Sequence, residues 1–165
     1  MLRVITTTTK DIPIIQELSK IVWPITFTSI LSQDQIAYMM EMMYSKEALI
    51  KQMEEDDHHY ILIKDEDEKF LGYLSFQHFA ETSYTKIHKI YILPDQQGKG
   101  VGKTLINYVI GEALKQNSKA LKLNVNRYNK ALGFYERIGF SIAQTEDINI
   151  GNGFLMEDYV MSMPL

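Results

Sequence analysis

The sequence predicts a single α+β domain over residues 1–165, a central twisted sheet, mixed but mostly antiparallel, of about seven strands flanked by about four helices. Three observations carry this reading. The apolar-periodic segments follow the order strand, two helices, three strands, helix, strand, helix, two strands. The antiparallel strands cluster in the middle of the chain. At 165 residues, 45% of them hydrophobic, the chain suits one core that needs neither metal nor disulfide to hold it.

Each element has a local cause. Residues 2–6 form a short strand, and Thr8 or Thr9 caps a helix that carries Ile12, Ile15, Leu18 and Val22 at helical spacing. Trp23-Pro24 is expected to end that helix, because proline disfavours helical geometry in the residue before it. Residues 30–54 read as one further helix opened by a Ser32/Gln35 capping box. Its stripe of Ile36, Met39, Met40 and Met43 packs in the core, although methionine could also line an adaptable pocket. Strands at residues 59–64 and 70–79 flank Asp65-Glu66-Asp67-Glu68, a solvated hairpin turn. Residues 84–93 are a third strand, rich in β-branched and aromatic side chains. Val101, Leu105, Val109, Ile110, Ala113 and Leu114 then mark an amphipathic helix, and residues 121–125 a buried strand. A last helix covers residues 129–138, before two closing strands that begin at Gly139-Phe140.

Composition narrows the function classes. There is no cysteine, which removes disulfides, thiolate metal sites and a cysteine nucleophile. The four histidines are scattered, apart from His58-His59, and make no convincing ligand set, so no metal is expected. The N-terminus lacks the apolar core of a signal peptide, and no stretch reaches the roughly 18 apolar residues of a membrane span. A cytoplasmic location is the expectation. A net charge of −4 lacks the basic face of nucleic-acid binding and is compatible with a small cationic partner.

The segment from Tyr91 to Thr104 carries the chemistry. Gly98, Gly100 and Gly102 lie between the end of a strand and the start of an amphipathic helix. Glycine lets the backbone approach an anion closely, and the first amides of a helix lack internal partners while its dipole favours negative charge. Together they form a pyrophosphate cradle, with Lys99 and Lys103 adding positive charge nearby. The P-loop of nucleotide triphosphatases would need glycine where Gln97 stands, and the dinucleotide fingerprint would need it at Lys103 or Leu105. A structural glycine turn with no ligand is the remaining alternative.

Gln97-x-x-Gly100-x-Gly102 resembles the Gln/Arg-x-x-Gly-x-Gly/Ala signature with which GNAT acetyltransferases hold the CoA pyrophosphate. One helix and one strand further on, Asn129, Ala131, Phe134-Tyr135 and Gly139-Phe140 resemble the second hallmark of that superfamily. Two motifs in this order and at this distance are far more specific than either alone, and with the strand order the resemblance spans essentially the whole chain. It implies an N-acetyltransferase that takes acetyl-CoA as cosubstrate. The donor's pyrophosphate would sit on Gln97, Gly98, Lys99, Gly100, Val101, Gly102 and Lys103, and its pantetheine arm would follow Tyr91, Ile92 and Leu93. Asn129, Phe134 and Arg137 would complete the donor site; Asn126 is the reserve for Asn129, because the commoner family spacing falls on Tyr128.

Tyr135 shares a helical face with Ala131 and Ile138, so its ring can pack while its hydroxyl meets a cleft. By resemblance it is the general acid that protonates the departing thiolate. Many relatives carry a glutamate base on the strand before the loop, yet residues 84–93 contain no carboxylate. His88 has the intrinsic pKa for that task, and a water chain to Glu81 or His78 is the alternative. The stretch around Trp23-Pro24 and the methionine-rich helices are loosely similar to bacterial spermidine/spermine acetyltransferases, which implies a small primary amine as acceptor, a polyamine first. An aminoglycoside, an amino acid or a protein N-terminus stays open, as does a homodimer. A module that binds acetyl-CoA without turning it over is the competing class.

Overall fold

The computed structural model describes residues 1–165. Its strands are β1 (Arg3–Thr6), β2 (His59–Lys64), β3 (Phe70–Phe79), β4 (Tyr84–Ile92), β5 (Ala120–Asn126), β6 (Ser141–Gly151) and β7 (Phe154–Pro164). They form one sheet in the order β1-β2-β3-β4-β5-β7-β6. Every neighbouring pair is antiparallel except β4 and β5. That parallel pair needs a crossover, which α4 (Val101–Lys115) supplies. The other helices are α1 (Ile12–Phe27), α2 (Gln33–Tyr44), α3 (Lys46–Glu54) and α5 (Leu132–Ile138).

The sheet carries a core on each face, because the period-two alternation of its strands is apolar on both sides. Leu121, Leu123 and Val125 of β5 pack with Val101, Leu105, Ile106 and Val109 of α4 and with Tyr135 of α5. Ile12, Ile15, Leu18, Val22 and Trp23 of α1 pack on the opposite face with Met39, Leu49, Leu62 and Tyr73. The helical spacing expected for α1 and α4 is therefore what buries them, except at Leu114, which lies in the last turn of α4 and is 54% exposed.

Four boundaries differ from the sequence expectation. Proline does not stop α1 at Trp23: the helix continues to Phe27 with Pro24 inside it. The hydrogen bond that proline removes would have gone to the carbonyl of Lys20, an exposed residue where water can serve instead. Burial of Trp23 and Phe27 and the bond from Thr28 N–H to Pro24 O (3.1 Å) hold the last turn. Residues 30–54 are not one helix, because Ser45 adopts ψ 154° and its hydroxyl accepts from Ala48 N–H, opening α3. Ser32 caps α2 from one side only: its hydroxyl accepts from Gln35 N–H, while the Gln35 amide donates to Leu155 O at 2.7 Å. Finally, α5 begins at Leu132, because Asn126 and Asn129 each accept from the amide two residues on (Tyr128 and Ala131, both 2.9 Å) and hold the chain in successive turns. Thr8 does cap as expected, by a capping box with Asp11, but over a single 3-10 turn that leads into α1.

Candidate active site

The pairing of β4 with β5 stops at Ile87 and Leu123, although the strands run on to Ile92 and Asn126. The cause is local. Against β3, Ser75 opposes Lys89 and Phe76 opposes Ile87, so His88 is an extra residue, a β-bulge. A bulge bends its strand, and from here β4 and β5 diverge. The cleft between them is part of a cavity of about 680 Å³, lined by residues 87–92 of β4 and 123–126 of β5.

One end of this cavity is the glycine loop. Gly98 (φ +78°) and Gly100 (φ +82°) hold left-handed conformations, and an added Cβ would meet nothing there, so it is the backbone that asks for glycine. Gly102 is different: a Cβ would lie 2.8 Å from Phe134 Cζ. The first helical bond of α4 runs from Thr104 N–H to Gly100 O, and no side chain caps the helix. The amides of Val101, Gly102 and Lys103 thus point an uncompensated positive dipole end toward the cavity mouth. Gln97, Gly98, Gly100, Gly102 and Lys103 line the cavity, as do Tyr91, Ile92, Asn126, Asn129, Phe134, Tyr135 and Arg137. Lys99 is exposed outside the lining, and Val101 and Leu93, expected at the donor site, are buried in the two cores and do not line the cavity. Asn126 and Asn129 have each committed their carbonyl oxygen to a turn, leaving their amide hydrogens as donors.

Tyr135 is 7% exposed. Burial alone raises its pKa, so the phenol keeps its proton. Its ring lies edge-on to Phe140 (6.0 Å between centroids) and beside Phe134 (5.4 Å).

On the other face of the sheet, the last turn of α1 and the methionines of α2 wall the cavity. Trp23 and Phe27 approach Tyr91 at 5.8 and 6.3 Å between centroids; Met39 and Met43 line the cavity as well as packing in or against the core. His88 also lines it. Its Nε2 bonds to Gln77 Oε1 at 2.9 Å and its ring stacks on His58 at 4.0 Å. Burial first, then the neighbouring His58, pushes it down to about 3, the wrong direction for a group that must hold a proton taken from an amine. Neither His78 nor Glu81 lines the cavity; His78 Nδ1 bonds to Thr85 Oγ1 instead.

Two charged side chains in the cavity escaped the sequence reading. Lys89, 5% exposed, donates to Met43 O (3.2 Å), Gln52 Oε1 (2.8 Å) and Tyr60 OH (2.6 Å), and lies over the Tyr44 ring at 4.3 Å. Burial pushes its ammonium down to about 7. Asp158, 3% exposed on β7, accepts from Asn124 Nδ2 at 3.2 Å, and burial raises its pKa. A lysine or aspartate in a strand carries no sequence signal for this. Only the register, Asp158 opposite Asn126, brings it to the cleft.

Comparison with known proteins agrees with this geometry. A profile of the acetyltransferase (GNAT) domain matches residues 27–163. The L-methionine sulfoximine/L-methionine sulfone acetyltransferase of Salmonella typhimurium is 27% identical over 64% of this chain and 64% of its own length. The chain spans less than two thirds of the curated relatives it first matches. Among solved structures, the PaiA N-acetyltransferase of Thermoplasma acidophilum in complex with coenzyme A superposes with a TM-score of 0.82 at 20% identity, covering 100% of this chain and 99% of that one. A chimera of the spermidine N-acetyltransferase SpeG from Vibrio cholerae with hSSAT gives a TM-score of 0.72 at 20% identity, covering 99% and 95%. No helix is long and apolar enough to cross a membrane.

Proposed function

The chain belongs to the GNAT acetyltransferase family, and from that premise we propose that it transfers the acetyl group of acetyl-CoA to the primary amine of a small acceptor. The observation that carries the reading is that one cavity joins the uncapped N-terminus of α4 to the buried Tyr135 through the cleft where β4 and β5 part. Residues 97–103 hold the donor's pyrophosphate through backbone amides, with Lys103 beside them. The edge of β4 that faces β5 has no ladder partner beyond Ile87; its peptide groups bind the amide-bearing arm of the donor as a partner strand would. Asn129, Phe134 and Arg137 complete this side.

In the transfer, the acceptor nitrogen attacks the thioester carbon directly, and N–H groups at the free strand edge stabilise the charge that builds on the carbonyl oxygen. The carbon–sulfur bond then breaks, and Tyr135 donates its proton to the leaving sulfur. Its raised pKa supports this role, since the acid must still carry its proton when the thiolate departs. The acceptor enters from the α1/α2 side. A polyamine is the acceptor expected from the sequence, supported by the net charge of −4 and a carboxylate in the cavity. The aromatic and methionine wall supports an amine with an apolar body instead.

Release of free thiol from acetyl-CoA, measured across polyamines, amino acids, aminoglycosides and short peptides, tests the transfer. Tyr135→Phe should lower kcat by about 100-fold or more while CoA affinity, read by calorimetry, stays near that of the wild type. If the wild type binds CoA and no amine promotes thiol release, the chain is a binding module and the reading is wrong.

A further inference from the structure

We propose that Asp158 receives the acceptor's ammonium group and removes its proton, and that the site selects a primary amine with one positive charge and an apolar body. The proposal rests on the acetyl-transfer reading and adds to it the proton acceptor and the acceptor class.

Strand alternation sets the argument. Tyr159 and Met161 of β7 pack with the α4/α5 core, so Asp158 lies on the opposite face with Met156, the face of α1 and α2. There it pairs in register with Asn126 at the open end of the cleft. An ionised carboxylate offers about four acceptor sites, and this one takes a single amide donor, Asn124. No cation of the protein stands within ion-pair distance of it, and Lys86 and Arg127 act on it only from further off. Arg127 Nε bonds to the backbone oxygen of Asp158 at 3.3 Å, and its Nη2 turns to Glu146 O and the Asp147 carboxylate; no ion pair reaches Asp158 itself. A buried carboxylate without a cation is costly, and the cost is relieved when an ammonium docks in the cavity it lines. The groups that face it are Asn124 and Arg127 at β5, Glu146 on β6, and Lys86 and Tyr91 on β4. Burial and Glu146 raise its pKa, against the Asn124 bond, Lys86 and Arg127.

The proton balance closes. The ammonium gives one proton to Asp158, and the neutral nitrogen forms the new bond to the acetyl carbon. On collapse the carbon–sulfur bond breaks, Tyr135 protonates the sulfur, and the second proton leaving nitrogen restores the phenol. Asp158 returns its proton to solvent, so the sum is one amide, one thiol and one released proton. For the acceptor's body, Trp23, Phe27, Tyr91, Met39 and Met43 offer aromatic and thioether surface. While it holds its proton, below about pH 7, Lys89 in the same wall repels a second positive charge.

Thiol release should be followed with phenylethylamine, methionine amide and spermidine for the wild type, Asp158→Asn and Tyr135→Phe. Asparagine at 158 still accepts from Asn124 and carries no buried charge, so its melting temperature should equal or exceed that of the wild type. Its kcat/KM should fall by about 10²–10⁴-fold with CoA affinity unchanged. Wild-type kcat/KM should fall toward acid through a pKa above the usual carboxylate value of about 4. The variant should lose that limb and rise with pH as the amine itself deprotonates. Wild-type rates and pH profile in Asp158→Asn, with Tyr135→Phe inactive, overturn the role of Asp158 and leave acetyl transfer standing. A wild type inert toward every amine overturns both. Spermidine turned over better than the two single-charge amines overturns the acceptor class. Should Asp158→Asn fail to fold, the wild-type profile decides, and the absence of its acid limb overturns the proposal.

Discussion

Alanine at three glycines of α4 and its cap should shift stability with different signs. At Gly102, in the first turn, an added Cβ would lie 2.8 Å from Phe134 Cζ and 3.0 Å from Ile92 Cδ1. Neither atom can swing away freely, because Phe134 is held against Tyr135 and both residues pack on the α4/α5 core. Overpacking of this kind costs about 1–3 kcal/mol, which for a domain of this size lowers the melting temperature by about 2–4 °C per kcal/mol. Gly100 has open space around it but φ +82°, so alanine there costs about 1–2 kcal/mol through the backbone alone. Gly111, exposed in the helix interior with nothing within 4 Å, should gain about 0.4–1 kcal/mol from alanine. Thermal unfolding with and without CoA reads all three. Gly102→Ala should also weaken CoA binding if Phe134 holds the donor as proposed, since the added Cβ displaces it, whereas Gly111→Ala should leave affinity untouched. A Gly102→Ala protein that melts at or above the wild-type temperature would refute the steric argument, and a destabilised Gly111→Ala would refute the backbone one.

Lys89 makes stability depend on pH. Its folded pKa of about 7 lies below the ordinary value of 10.5, so between these values the unfolded chain binds the extra proton and stability rises with pH, by up to about 5 kcal/mol. Chemical denaturation from pH 6 to 10 should reveal the rise, and Lys89→Met should abolish it without leaving an orphaned acceptor, because Met43 O still accepts from Gln52 Nε2 and Gln52 Oε1 from the Tyr60 hydroxyl; a flat wild-type profile counts against a perturbed Lys89. His88→Asn should leave the pH dependence of kcat/KM unchanged, because an imidazole pushed down to about 3 is already neutral across that range. Loss of a titrating limb near pH 6–7 in that variant would restore His88 as the base.

What was legible in the sequence is what repeats or what glycine enforces. The seven strands and the apolar faces of α1 and α4 follow from periodicity, and the cradle follows from glycines whose left-handed φ or missing Cβ the structure makes necessary at Gly98, Gly100 and Gly102. The break at Ser45 was hidden because Ser-x-x-Ala lacks the acidic partner of a full capping box. Pro24 misled because a helix interior tolerates proline when the orphaned carbonyl is solvated and the flanking aromatics are buried. Asp158 and Lys89 could not be read at all. Each is a common residue in an unremarkable strand, and its burial is a product of register and bulge, set by partners distant in sequence.

The bulge at His88 gives the bend in β4 a chemical consequence. In a closed sheet the two faces are insulated from each other by continuous strands, and a group on the α4/α5 face cannot act on the same atom as one on the α1/α2 face. Tyr135 belongs to the first face and Asp158 to the second. Because β4 leaves β5 after Ile87, both residues line the one cavity that runs through the cleft, and in the proposed transfer Tyr135 would serve the sulfur side and Asp158 the amine side. Straightening β4, by deleting the extra residue, would re-pair the strands and separate the two groups even with every side chain of the site retained. On this view the bulge positions the proposed chemistry, and His88, proposed from the sequence as a base, matters through the backbone it occupies rather than through its imidazole.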